Sequence, residues 1–254
     1  MNNIYFIIKN KSSLFKKANT KSEKLKEVIF GEKFVKLKQI KDLYYGYTQN
    51  DKYCGYIKKK HLDNIQLKQN YIVNSGKAYL FKRNNVQSKT EKYLYLNSKV
   101  YISQIGPKFS KIGDLWIKNT DIKLIKKIKK IKKINFLKQI KIFTNVKYVW
   151  GGNTIDGIDC SGLVQELMKN FFLKCPRDSK DQEKFFKKKI NLKQIKKGDL
   201  LFWKGHVAIS INKKECIHAF GPRKKVVKMK ICNVISELEK KSLKLSSIKR
   251  PLFK

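Results

Sequence analysis

The stretch Tyr148-Val-Trp-Gly-Gly-Asn-Thr-Ile-Asp-Gly-Ile-Asp-Cys-Ser-Gly-Leu163 places a cysteine where a helix is expected to begin. Its glycines make the approach to Cys160 rich in turns. After Cys160, apolar residues recur at helical spacing, at Leu163, Val164, Leu167, Met168 and Phe171. Cys160 is therefore predicted to lie in or beside the first turn of a helix. Free N–H groups and the positive end of the helix dipole favour a thiolate there, which makes the sulfur a better nucleophile.

The composition is that of a folded and very basic protein. The chain has 254 residues, 41% of them hydrophobic, which allows one large domain or two to three small ones. Its formal net charge is +41, but only four of the 60 basic residues are arginine: Arg83, Arg177, Arg223 and Arg250. Readout of bases and bidentate gripping of phosphate rely on arginine. A general composition bias is therefore the favoured explanation of the lysine excess, and no specific nucleic-acid partner is predicted.

The cysteines and the N-terminus bear on location. The five cysteines are an odd number without a Cys-x-x-Cys pair, so neither a disulfide framework nor a zinc site is indicated. The apolar run Ile4–Ile8 is shorter than the core of a secretory signal, and no stretch reaches the length of a membrane span. A cytoplasmic location is predicted, with the cell envelope as the alternative, and the oligomeric state is left open.

Residues 1 to 125 consist of short alternating runs separated by turn residues, which is typical of small all-β modules. Leu14-Phe15-Lys16-Lys17 is echoed by Leu80-Phe81-Lys82-Arg83, and Gly55-Tyr56-Ile57-Lys58 by Leu115-Trp116-Ile117-Lys118. A period of about sixty residues favours two tandem barrels over a solenoid, whose repeats are shorter. The predicted modules are residues 1–66 and a more degraded copy at 67–125.

The remaining residues, 126–254, are assigned to a linker helix and an α+β domain. Between Lys123 and Lys141, isoleucines recur about every three residues among lysines, which predicts a basic amphipathic helix. A membrane-surface or calmodulin-like target is the alternative for this segment. The helix after Cys160 is expected to end near Leu173, and a second short helix to follow. A turn plus strand is then predicted at 197–203, and further strands at 205–211 and 216–220.

Two of the three histidines, His206 and His218, lie on consecutive strands of one predicted hairpin. Alternation puts His206 on one face and Val207 and Ile209 on the other, where they can pack on the core. His218 shares the face of His206 only if the loop has an odd number of residues, and a three-residue loop at Asn212–Lys214 is predicted.

With both histidines on one face, His206 can accept the proton of Cys160 while His218 orients its ring. Two alternatives stay open. The three residues can be ordinary buried scaffold. They can also be zinc ligands, although no carboxylate or second cysteine falls at a metal-like spacing.

Several motifs occur in order along residues 148–219. They are Tyr148-Val149-Trp150-Gly151-Gly152, Asp159-Cys160-Ser161-Gly162-Leu163-Val164, Pro176-Arg177-Asp178-Ser179 with Gln182, Gly198-Asp199-Leu200-Leu201-Phe202, and Gly205-His206-Val207-Ala208-Ile209 followed by Ile217-His218-Ala219. In this order they resemble the NlpC/P60 cysteine peptidases. The front half resembles the tandem SH3-like domains of family members that cut the γ-D-glutamyl bond to the diamino acid in peptidoglycan stem peptides.

The resemblance implies a papain-like α+β catalytic domain preceded by two SH3-like barrels. It implies Cys160 as nucleophile, His206 as general base and His218 as third polar residue, without a metal or cofactor. It further implies substrate-binding residues, which are Asp159 and Ser161 at the free amine of an N-terminal L-Ala, Tyr148 near the oxyanion position, and Glu32 and Tyr53 of the first barrel closing that end of the site.

The function implied is that of a cysteine-type endopeptidase or dipeptidyl-peptidase acting on the γ-D-glutamyl–diamino acid bond. Since no export signal is seen, free muropeptides and cell-wall recycling are the expected context. The alternative is a non-catalytic protein that binds wall polymer or other polyanions through its barrels and basic surface.

Overall fold

The computed structural model describes residues 3–65, 68–126, 136–169 and 173–252. Contacts divide the chain into two units, Met1–Lys132 and Lys133–Lys254. Each unit has hydrophobic clusters of its own.

The first unit is built of short strands joined by turns. In chain order they are β1 (Ile4–Ile7), β2 (Lys11–Phe15), β3 (Lys24–Ile29), β4 (Lys33–Ile40), β5 (Leu43–Thr48), β6 (Cys54–Lys58), β7 (Leu62–Asp63), β8 (Tyr71–Val73), β9 (Lys77–Phe81), β10 (Lys89–Tyr95), β11 (Lys99–Val100), β12 (Gln104–Ile105), β13 (Phe109–Ile112), β14 (Leu115–Lys118) and β15 (Ile122–Leu124). Strands β1–β7 form one sheet in the order β3-β2-β6-β5-β4-β1-β7. Strands β8–β15 form a five-stranded sheet, β10-β9-β14-β13-β12, and a three-stranded sheet, β11-β8-β15.

The sequence repeat corresponds to a structural repeat. Strand β6 leads through a 3-10 turn into β7, and β14 leads through a 3-10 turn into β15. The echoed residues Leu14 and Leu80 lie in separate cores, as do Ile57 and Ile117. The N-terminal unit is therefore all-β and consistent with two SH3-like modules, although pairing among its described strands does not close a ring. The boundary between residues 66 and 67 stays a prediction.

The predicted basic helix differs from the structure at its start. Lys123 and Leu124 belong to strand β15 and pair with Ile72 and Tyr71 of β8. The helix prediction was wrong here because pairing with β8 satisfies the backbone N–H and C=O groups that would otherwise form hydrogen bonds within a helix. Residues 127–135 lie outside the described residues, and helix α1 (Phe136–Phe143) covers the end of the predicted segment.

The second unit combines helices with one large antiparallel sheet, as predicted for an α+β domain. Its further elements are β16 (Asn153–Thr154), β17 (Gly157–Ile158), α2 (Cys160–Lys169), α3 (Ser179–Phe185), β18 (Lys189–Ile190), β19 (Leu200–Trp203), β20 (His206–Ser210), β21 (Glu215–Phe220), β22 (Lys225–Lys230), α4 (Ile231–Glu239) and β23 (Leu245–Lys249). The six-stranded sheet has the order β18-β23-β19-β20-β21-β22. The predicted helix end near Leu173 is not tested closely, because residues 170–172 lie outside the described residues.

Strand β20 is buried on both of its faces. Ala208 packs in a cluster with Val234 and Leu238 of α4, while α2 packs against β20 and β21. The sequence alternation predicts core packing for the Val207 face alone. The structure buries the other face as well because α4, which the alternation does not reveal, packs there.

Candidate active site

Cys160 is the first residue of helix α2, as the sequence predicts. Two glycines make the close approach of this turn possible. A Cβ atom on Gly152 would lie 2.4 Å from the carbonyl oxygen of Gly157, and one on Gly162 would lie 2.5 Å from that of Gly152. Any other residue at these positions would push the start of α2 away from the β16–β17 hairpin.

The β20–β21 hairpin has the predicted register. Ser210 pairs with Cys216, and the Ile211 N–H donates to the Glu215 carbonyl oxygen at 2.9 Å, which leaves Asn212–Lys214 as a three-residue loop. The Asn212 side chain closes this loop by accepting from the backbone N–H groups of Lys214 and Glu215, each at 2.8 Å. The prediction of an odd-numbered loop is confirmed, so His218 lies on the same face as His206.

The two histidines form a chain of contacts with Met229. His206 Nε2 lies 2.8 Å from His218 Nδ1, and His218 Nε2 lies 3.3 Å from the Met229 sulfur. Both rings are buried, and Phe220 stacks on the His218 ring with centroids 4.5 Å apart. Bulk water therefore does not compete for these ring nitrogens.

The Cys160 sulfur lies against the backbone on both sides of His206. It is 4.0 Å from the carbonyl oxygen of Gly205, and the nearby Val207 backbone acts to lower the pKa of the thiol. The structure thus places the Cys160 sulfur at the backbone next to His206, 46 positions further along the chain, and the His206 ring against the His218 ring.

Burial shifts the pKa values of all three residues. Burial, with a contribution from the carboxylate of Asp159, raises the pKa of Cys160 to about 12, and the Val207 backbone and Arg177 offset this only in part. Burial lowers the pKa of His206 to about 4, and burial together with His206 lowers that of His218 to about 3. Desolvation thus opposes the thiolate form that the helix start favours, and it keeps both imidazoles neutral at neutral pH.

The geometry argues against the zinc alternative. His206 Nε2 and His218 Nδ1 face each other, so these nitrogens do not converge on an ion together with Cys160. Across residues 3–65, 68–126, 136–169 and 173–252, no group of three or more His, Cys, Asp or Glu side chains is arranged to hold a metal.

Asp159 and Ser161 lie in a buried network centred on Arg177, a residue to which sequence reasoning gave no role. Arg177 Nη1 donates to Asp159 Oδ1 at 2.9 Å and to Ser161 Oγ at 2.8 Å, and its Nε donates to Asn153 Oδ1 at 3.0 Å. Arg177 is only 2% exposed. The motif Pro176-Arg177-Asp178-Ser179 was the available signal, but spacing alone does not reveal a partner 18 residues away.

The Asp159 carboxylate also accepts from the backbone N–H groups of Gly151 at 2.8 Å and Gly162 at 2.7 Å. With the guanidinium of Arg177 beside it, its charge is compensated within the protein. In this structure Asp159 braces the turn that presents Cys160. The predicted contacts of Asp159 and Ser161 with a substrate amine stay a prediction.

Tyr148 lies beside the nucleophile. Burial is the main reason why the pKa of the Tyr148 phenol is raised well above its usual range, and the nearby Cys160 and Asp159 raise it further. Its backbone N–H donates to the carbonyl oxygen of Lys224 at 2.8 Å, which fixes the residue at the sheet. Tyr148 therefore carries a neutral hydroxyl within electrostatic range of Cys160.

Glu32 and Tyr53 belong to the first unit. The Glu32 carboxylate accepts from the backbone N–H of Ile29 at 3.2 Å, and Tyr53 packs against the core of the first module. Their predicted role at the end of the Cys160 site stays a prediction.

Residues 145–245 match the model of the NlpC/P60 family, so the second unit contains an NlpC/P60 domain. Dipeptidyl-peptidase 6 of Lysinibacillus sphaericus is 40% identical over 72 residues, which are 28% of this chain and 27% of that protein. The γ-D-glutamyl-L-lysine dipeptidyl-peptidase of Bacillus subtilis is 25% identical over 199 residues, 74% of this chain and 67% of that protein. The chain thus matches about a quarter of the length of the first relative and two thirds of the second.

A solved NlpC/P60 family protein from Bacillus cereus has the same fold. The TM-score is 0.83, with 97% of this chain and 99% of that chain covered, at 16% sequence identity. Within the described residues, the helices are too short or too polar to cross a membrane.

Proposed function

We propose that this protein is a cysteine peptidase that hydrolyses the γ-D-glutamyl–diamino acid bond of peptidoglycan stem peptides. The observation that carries the proposal is the arrangement of Cys160 at the start of α2, against the backbone around His206, with His206 Nε2 2.8 Å from His218 Nδ1. Nucleophile, base and orienting group are the parts that covalent catalysis requires. The name of the Bacillus subtilis relative supports the choice of substrate class, and that of the Lysinibacillus relative supports a dipeptidyl-peptidase.

In the first half-reaction, His206 Nδ1 accepts the thiol proton as the Cys160 sulfur attacks the γ-carbonyl carbon. The resulting oxyanion takes hydrogen bonds from the backbone N–H of Cys160, which as a first-turn donor has no partner within the helix, and from the Tyr148 hydroxyl. The C–N bond then breaks, and the diamino acid amine leaves with the proton from His206. A thioester of L-Ala-γ-D-Glu remains on Cys160.

In the second half-reaction, His206 takes a proton from water as the water oxygen attacks the thioester. The C–S bond breaks, and the proton returns to the Cys160 sulfur. Because burial lowers its pKa, His206 is unprotonated at neutral pH, so a ring nitrogen is free to accept a proton in both steps.

The proposal extends to free muropeptides as the substrate and to cell-wall recycling as the context. Four substrates test it: L-Ala-γ-D-Glu-L-Lys, its diaminopimelate analogue, an N-acetylated analogue and intact sacculi. Cleavage of the free tripeptides with little cleavage of the other two supports the proposal. Efficient cleavage of sacculi contradicts the recycling context, and no cleavage of any of the four contradicts the peptidase.

Replacing Tyr148 by phenylalanine removes a hydroxyl beside Cys160. Loss of one oxyanion donor is expected to lower kcat by about 100-fold with little change in KM. Steady-state kinetics on the tripeptide measure this effect. Replacement of the exposed Tyr101 by phenylalanine is the matched control and is expected to leave kcat unchanged. Full kcat in Tyr148→Phe would show that Tyr148 does not donate a hydrogen bond to the oxyanion.

The activity is expected to depend on pH through His206. The base must be neutral, and kcat/KM reports the pKa values of the free enzyme, so kcat/KM should fall only as the pH drops through about 4. An acid limb at the ordinary imidazole value of about 6.5 would mean that His206 is not buried in the active enzyme.

Folding must be monitored in the same pH series. The unfolded chain binds the His206 proton already below about 6.5, whereas the folded chain binds it only near 4. The free energy of unfolding should therefore fall as the pH decreases through this window. Circular dichroism at each pH separates loss of activity from loss of fold.

A further inference from the structure

We infer that Met229 is a positioning residue whose thioether sulfur fixes the tautomer of His218 and, through it, that of His206. The inference rests on the proposed function for its kinetic part only. Its structural part concerns where two protons lie in the resting protein.

The strand register places Met229 beside His218. Strand β22 pairs with β21 so that Met229 faces Cys216 and Val227 faces His218. The sulfur of Met229 lies 3.3 Å from His218 Nε2. A thioether has no hydrogen and acts only as a weak acceptor, so the favourable state has the hydrogen on Nε2.

A neutral imidazole carries one N–H group, so with its hydrogen on Nε2, His218 presents a bare Nδ1. This Nδ1 lies 2.8 Å from His206 Nε2, which must then be the donor. The hydrogen of His206 is thereby placed on Nε2, and its Nδ1 carries the lone pair. That is the nitrogen that must accept the proton of Cys160 in the proposed reaction.

The opposite pair of tautomers is unfavourable at Met229 and leaves no acceptor for the proton of Cys160. With hydrogen on His218 Nδ1, the lone pair of Nε2 would face the lone pairs of the Met229 sulfur. His206 would then carry its hydrogen on Nδ1 and have no site to accept the thiol proton. Because both rings are buried, water does not compensate for this loss.

Two variants of similar size test the inference. Met229→Leu keeps the shape and removes the acceptor, whereas Met229→Gln offers an amide oxygen as a new acceptor. We expect kcat on the tripeptide to fall about two- to tenfold in Met229→Leu, the effect of one neutral hydrogen bond, with KM unchanged. Met229→Gln should retain more activity than Met229→Leu. A role in packing alone predicts the reverse order, since leucine is the better hydrophobic substitute for methionine.

Nitrogen-15 NMR of the histidine side chains gives a readout that does not depend on activity. In the unmodified protein at neutral pH, both His206 and His218 should carry hydrogen on Nε2, and Met229→Leu should increase the population of the other tautomer. Hydrogen on His218 Nδ1 in the unmodified protein, or higher kcat in Met229→Leu than in Met229→Gln, overturns the inference. Absence of peptidase activity would contradict the proposed function and leave the NMR test in force.

Discussion

Release of the diamino acid from L-Ala-γ-D-Glu-L-Lys is expected to be lost when Cys160 is replaced by alanine. Without the sulfur no thioester forms, and removal of the nucleophile in comparable enzymes lowers kcat by about 10⁶-fold. The fold should persist, because Cys160 leaves only a small cavity when truncated at a helix start. The measurement is the rate of diamino acid release by mass spectrometry, with thermal unfolding as a check on folding.

Cys232→Ala is the matched control for this prediction. Cys232 is an exposed cysteine near the start of helix α4, and its loss should change neither the rate nor the unfolding temperature. Substantial activity in a folded Cys160→Ala protein would assign the nucleophile to another residue. Absence of activity in the unmodified protein as well would instead favour the non-catalytic binding alternative.

Replacing Arg177 by methionine is expected to destabilise the second unit by about 3–5 kcal/mol, the cost of breaking a buried ion pair. The substitution leaves the Asp159 carboxylate buried without its guanidinium and removes the donor to Ser161. Because Asp159 also holds the N–H groups of Gly151 and Gly162, activity should fall with stability. Urea unfolding followed by circular dichroism measures the change.

Two further variants distinguish a buried ion pair from a general loss of packing. Adding Asp159→Asn to Arg177→Met removes the uncompensated charge and should recover part of the stability. Arg223→Met breaks an ion pair with Glu237 that is exposed at the arginine, and it should change stability by less than about 0.5 kcal/mol. Equal destabilisation by Arg177→Met and Arg223→Met would show that the Arg177 network has no special importance.

The positions of the main site residues could be predicted because each depends on local sequence. A glycine-rich turn before helical spacing places Cys160 at the start of α2. Strand alternation with an asparagine in a short loop sets the register of His206 and His218. Both features are determined by residues that are close along the chain or paired across a single hairpin.

The remaining parts of the site depend on distant contacts and on burial. Arg177 acquires its role by folding against Asp159, and Met229 reaches His218 only through the β21–β22 pairing. The protonation of Cys160 depends on how completely the fold desolvates it, and helix position alone does not reveal this burial. In the same way, pairing with β8 turns the start of a lysine-isoleucine helix pattern into strand β15.

The most direct test is labelling with a chloromethyl ketone analogue of L-Ala-γ-D-Glu, followed by mass spectrometry of the digested protein. The chain offers five free cysteines, of which Cys54 and Cys232 are exposed and Cys160, Cys175 and Cys216 are buried. We expect the reagent to alkylate Cys160 selectively, and the tripeptide to protect it. Labelling of exposed Cys54 and Cys232 with Cys160 unmodified would contradict a peptidase site for this substrate class.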